Sequence, residues 1–120
     1  MDSNQIIERL YEHDGLRDAN FLESIIAPDF IFEWDSSQDK RLMNKNDIIA
    51  LAHELKNNYH LSKTSILDKI ITESKIVVHY LHHVATIENP KELFTIARVI
   101  VIWDVENGQI IKGYQISKPA

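Results

Sequence analysis

From Ile66 onward the chain is a succession of Ile- and Val-rich runs held apart by short polar triplets. Ile66–Thr72, Ile76–Ile87, Leu93–Val105 and Ile110–Ser117 are separated by Glu73-Ser74-Lys75, Glu88-Asn89-Pro90 and Glu106-Asn107-Gly108. β-branched residues suit a pleated, half-buried surface, so each run reads as a strand. Connections this short cannot hold the helical crossover that parallel neighbours need, so the sheet is expected to be largely antiparallel. Asn107-Gly108 supplies two residues that tolerate positive φ, the strongest short-range hairpin signal in the chain.

The first half follows a different period. Ile6, Ile7, Leu10 and Tyr11 recur at helical spacing behind Ser3, an available N-cap. Gly15 interrupts the stripe. Asp18 can cap a second, short helix carrying Phe21, Leu22, Ile25 and Ile26, which Pro28 is expected to end. The period then drops to two, with Phe30, Phe32 and Trp34 alternating with Ile31, Glu33 and Asp35 as in a half-buried strand. Ser36 to Asp39 form a polar turn. A third helix is expected from Asn44, where Asp47 completes a near capping box, with Ile48, Ala52, Leu55 and Tyr59 as its buried stripe. The pattern predicts an α+β domain over residues 1–120, with three N-terminal helices packed on one face of the sheet.

The same pattern excludes several functions. A formal net charge of −5, with Lys40-Arg41 the only adjacent basic pair, offers no basic face for nucleic acid. Without cysteine there is no disulfide framework and no thiolate ligand or nucleophile. No apolar run is longer than the five residues of Val99 to Trp103, far short of a membrane span, and Met1 to Gln5 lacks a signal-peptide start, so a cytoplasmic location is expected. Leu93–Val105 is apolar on both faces: Val99, Val101 and Trp103 on one, Phe94, Ile96, Ile100 and Ile102 on the other, broken by Arg98. Helices cover one face only. The other is expected to pair two copies as a homodimer.

Three phrases carry a family resemblance. Leu22 to Trp34, LESIIAPDFIFEW, resembles the second helix and first strand of the nuclear transport factor 2-like superfamily, SnoaL-like branch. Ile66 to Tyr80, ILDKIITESKIVVHY, is similar to its first long hairpin, and Trp103 to Ile110, WDVENGQI, to its closing one. The resemblance implies a cone-shaped, barrel-like domain whose strongly curved sheet encloses a pocket. It spans isomerases, dehydratases, cyclases, epoxide hydrolases and non-catalytic binding modules, so it does not by itself select a function. This chain also departs from the pattern. Where SnoaL-like cyclases carry an acidic residue after the third helix it has His60-Leu61-Ser62-Lys63, and where many members have a late aspartate it has Tyr114-Gln115.

The family's usual parity puts Ile76, Val78, Tyr80, His82 and Val84 inward, and His79 and His83 on the outer side. His82 is then the candidate general base, because imidazole titrates near neutral pH, with Tyr80 as hydrogen-bond donor. The alternative is a structural histidine bonded at a sheet edge. His79, His82 and His83 do not suggest a metal, since adjacent strand residues point to opposite faces, and neither metal nor cofactor is expected. Trp34, Tyr59, His60, Tyr80, Val99 and Trp103 are the candidate lining of a pocket for a small apolar or amphipathic molecule. Three functions stay open: a ligand-binding domain, a cofactor-independent isomerase, dehydratase or polyketide-cyclase-like lyase, and a dimeric scaffold. A well-packed interior would favour the last.

Overall fold

The computed structural model describes residues 1–120. Three helices, α1 (Ser3–Glu12), α2 (Ala19–Ile25) and α3 (Lys45–Asn58), pack on one six-stranded sheet. Its strands are β1 (Ile26–Asp35), β2 (Lys40–Asn44), β3 (Tyr59–Ile71), β4 (Lys75–Thr86), β5 (Phe94–Glu106) and β6 (Gln109–Pro119). They lie in the order β2-β1-β6-β5-β4-β3. Every pairing is antiparallel except β1 with β6, which is parallel. The sheet is not closed: β2 and β3 are its edges. No helix is long and apolar enough to cross a membrane.

Local signals account for most element ends. Asn44 and Asp47 form the expected capping box on α3. Asn107 (φ 52°) and Gly108 (φ 74°) both take positive φ between β5 and β6, as a two-residue hairpin turn requires. The cap of α1 is Asp2 rather than Ser3: its carboxylate accepts from Gln5 N, and the Gln5 side chain accepts from Asp2 N. Ser3 is instead buried and donates to the Glu73 carbonyl at 3.2 Å. Pro28 does not end α2, which stops at Ile25. It sits inside β1, where pairing to β6 jumps from Ile26↔Ile110 to Ile31↔Lys112, a break in the ladder that tolerates a residue without an N–H. Two stretches without strand periodicity in the sequence are also strand. The short edge strand β2 buries only Met43, and β3 begins at Tyr59 rather than Ile66, its polar first half pairing with β4 without an apolar alternation to mark it.

The core lies between helices and sheet. Phe30, Phe32 and Trp103 stack with centroids 5.3–6.4 Å apart, and Trp103 donates its indole N–H to the Tyr11 hydroxyl at 2.8 Å. Tyr11 also packs on Tyr80, centroids 5.1 Å apart. Side chains from α1 thus fill the middle of the cone.

Candidate functional site

Strand register defines one inward-facing band at the end of the sheet away from the β5–β6 turn. His82 lies opposite Ala97 across β4–β5, and Val99, two residues on, lies opposite Ser117 across β5–β6. Trp34 on β1 donates its indole N–H to Ser117 Oγ at 2.8 Å, and Arg41 on β2 lies opposite Trp34. Residues directly opposite in a ladder share a face, so the band reads His82, Ala97, Ser117, Trp34, Arg41. A cleft of about 420 Å³ opens over its Trp34 end, bordered by the Ser36–Asp39 turn, Arg41, Ile96, Ala97 and the end of β6.

The His82 end is polar. Ser62 Oγ and His82 Nε2 are 2.8 Å apart. Close by, Arg17 is 8% exposed, forks onto the Asp14 carboxylate at 2.7–3.1 Å and donates to the Tyr59 carbonyl at 3.0 Å. It thereby ties the single 3-10 turn Gly15–Arg17 to the start of β3. Gly15 permits the turn because a Cβ there would stand 2.6 Å from the Arg9 carbonyl. A second open cleft, about 450 Å³, runs between the end of α1 and β3, lined by Tyr11, Asp14, Leu16, Leu61, Ser62 and Thr64 among others.

Burial, then His83 and the Arg17 guanidinium, hold the His82 imidazole below its ordinary pKa, with Asp14 acting the other way. The native state therefore favours the neutral ring. In the tautomer that donates Nε2–H to Ser62, Nδ1 is the nitrogen left to accept a proton; in the other, Ser62 Oγ–H donates to Nε2. A depressed folded-state value also has a stability consequence. The contribution is present in full above the unfolded-state value of about 6.5 and is lost as pH falls through the folded-state value, because the unfolded chain binds the proton more readily. The urea midpoint should thus fall between pH 7 and pH 5, and His82→Asn should flatten part of that fall. Identical slopes in the two proteins would assign it to other groups.

The structure separates the six expected lining residues. Tyr80, Val99 and Trp103 are 4–5% exposed within the core, and burial holds the Tyr80 hydroxyl well above its ordinary pKa, so it stays protonated. Tyr59 caps the end of α3, His60 is exposed at the start of β3, and Trp34 alone of the six borders one of the five principal clefts. His79 meets Asp68 and Arg98, while His83 meets Ser65 and Thr95, so the histidines serve separate contacts. The residue that orients His82 is Ser62, while Asp68 lies on His79 and Asp104 on Lys75. Ser62 and Arg17 had only weak sequence signals: a polar edge strand, and an aspartate three residues before an arginine.

No family model matches the sequence, and no curated protein matches it. Solved structures do. IdmH from Streptomyces antibioticus, a candidate polyketide cyclase, superposes with a TM-score of 0.71 at 13% identity, over 98% of this chain and 92% of its own. A candidate SnoaL-like polyketide cyclase from Jannaschia sp. CCS1 gives 0.70 at 12%, over 96% and 84%. An NTF2-like protein of unknown function from Burkholderia pseudomallei K96243 gives 0.65 at 17%, over 96% and 89%. At such identities the likeness is one of fold.

Proposed function

Because the chain has the nuclear transport factor 2-like fold in the form found in SnoaL-like proteins, we propose that it binds a small, largely apolar molecule at the open end of its cone. The observation that carries this reading is Trp34, a large aromatic held at the edge of an open cleft by its bond to Ser117 rather than buried in the core. A side chain that is apolar in body and anchored at its polar tip presents area to a ligand at little entropic cost. The test uses the neutral fluorescent probe N-phenyl-1-naphthylamine. Trp34→Ala should weaken its binding about tenfold, the order expected for loss of one aromatic contact. Unchanged affinity would reject the cleft as the site. His82 lies one ladder position from Ala97 on the same band, so turnover of an identified ligand that disappears in His82→Ala would add catalysis to binding.

The filled centre of the cone favours a second reading, a dimeric scaffold. The outer sheet face supports both readings as a homodimer surface. Its ladder rows run Ile70, Val77, Ile102, Tyr114 and His79, Ile100, Ile116. Ile70, Ile100 and Ile116 are 46–65% exposed, and a two-fold contact would pair such a patch with itself. Sedimentation should report a dimer at tens of micromolar, and Ile100→Glu should shift it to monomer. A wild-type monomer would remove this interface.

A further inference from the structure

The cleft beside Trp34 also carries a charge pattern that the apolar reading does not use. We propose that its ligand is a flat apolar molecule bearing one anionic group, with Arg41 as the residue that receives the anion. This rests on the ligand-binding reading above and narrows it.

The chain as a whole carries a formal charge of −5, yet two cations, Arg41 and Lys118, border this cleft against one carboxylate, Asp39; Lys118 lies opposite Arg98 on the outer face, so Arg41 is the cation on the inward-facing band. Asp39 belongs to the turn, where its backbone N–H and carbonyl and its carboxylate all meet Ser36. Both cations are uncommitted. Neighbouring Lys40 is engaged by Glu33 at 2.8 Å and Lys45 by Glu23 at 3.3 Å, but neither Arg41 nor Lys118 enters a salt bridge or a side-chain hydrogen bond. Arg41 is also placed. Its guanidinium carbon stands 5.6 Å from the centroid of the Trp34 ring, a cation–π distance. That ring is itself pinned by Ser117.

The two contacts set a planar, fivefold donor beside an aromatic surface, with its donors free. A guanidinium matches a carboxylate or sulfonate through paired N–H groups, and stacking on an aromatic reduces the rotamer freedom it must give up on binding. A ligand lying along Trp34 would reach it with a substituent at its edge. A neutral ligand would leave those donors to water, and a cationic one would meet repulsion.

The experiment compares two dyes with the same aromatic body on the full chain: 8-anilinonaphthalene-1-sulfonate, whose sulfonate stands in for a carboxylate, and neutral N-phenyl-1-naphthylamine. The sulfonate dye should bind about fivefold more tightly in dilute buffer, an advantage typical of a half-exposed charged contact and one that shrinks with added salt. Arg41→Gln should abolish that ratio, bringing the sulfonate dye down to the neutral dye's affinity in the same variant, and Arg41→Lys should restore part of it. Trp34→Ala should weaken both dyes. If Trp34→Ala weakens both but the ratio is one, or survives Arg41→Gln, the anion proposal is overturned and the apolar site stands. If Trp34→Ala changes neither, both readings fall.

Discussion

Trp103→Ala should destabilise the protein by about 3–5 kcal/mol, the cost of emptying an aromatic site in a packed core. The residue is 5% exposed in the middle of β5, its ring 5.3 Å from Phe32 and 6.4 Å from Phe30, and its N–H is satisfied by Tyr11. Truncation removes the contacts of three elements at once and leaves the Tyr11 hydroxyl in a cavity. Against a total stability of about 5–15 kcal/mol, the melting temperature should drop on the order of 10–25 °C. Tyr11→Phe separates the two contributions. It keeps the ring and removes the acceptor, so an indole N–H is left buried and unpaired at about 1–3 kcal/mol. In the double variant Tyr11→Phe/Trp103→Phe the orphaned donor is gone, and the cost should be smaller than the sum of the two single changes. Thermal melts of the wild type, Trp103→Ala, Tyr11→Phe, Trp103→Phe and the double variant test this. A Trp103→Ala variant that melts with the wild type would mean that α1 does not seat on β5 through this pair.

Gly113→Ala is the second large effect, and it comes from adding one carbon rather than removing many. Gly113 lies between Phe32 on β1 and Trp103 on β5, directly paired with both. A Cβ built on it would stand 2.5 Å from Phe32 Cδ1 and 2.8 Å from Trp103 Cζ3. These atoms belong to buried, stacked rings and have no free end to swing aside, so the overpacking should cost about 1–3 kcal/mol or more. Phe32→Leu in the Gly113→Ala background should recover part of the loss by giving the methyl group room. Equal urea midpoints for Gly113→Ala and wild type would show that the rings do not cross the β6 backbone here.

These two predictions were out of reach of the sequence for a physical reason. Trp103 reads from the chain as an inward strand residue, and Tyr11 as part of a helical stripe. That one hydrogen-bonds the other across 92 positions depends on how α1 lies on the sheet. Gly113 interrupts an Ile- and Tyr-containing strand, with nothing local to say that two rings need its bare backbone. The site shows the same division. Trp34 and His82 were legible because strand parity is local. Asp14, Arg17 and Ser62 were not, because their roles come from β3 and the 3-10 turn meeting β4. Arg41 was visible only as half of a basic pair, since β2 has one buried residue in five and leaves little periodic signal.

By itself the sequence determined what neighbouring residues decide among themselves: the helix stripes, the Asn44–Asp47 cap, the positive-φ turn at Asn107-Gly108 and the two-residue alternation of β4 and β5. Such features rest on interactions within about four residues, where propensity and period suffice. Only the tertiary structure decided the parallel pairing of β1 with β6, the filling of the cone by Tyr11, the burial of Arg17 and the side-by-side placement of Trp34 and Arg41 at an open cleft. Each depends on register between distant strands, and the register itself shifts at Ile26/Ile31, Tyr59/Leu61, Ile66/Asp68, His82/His83 and Asp104/Val105. A one-residue shift turns a strand's side chains to the other face, so what faces the cleft is settled by packing across the whole sheet rather than by any stretch of chain.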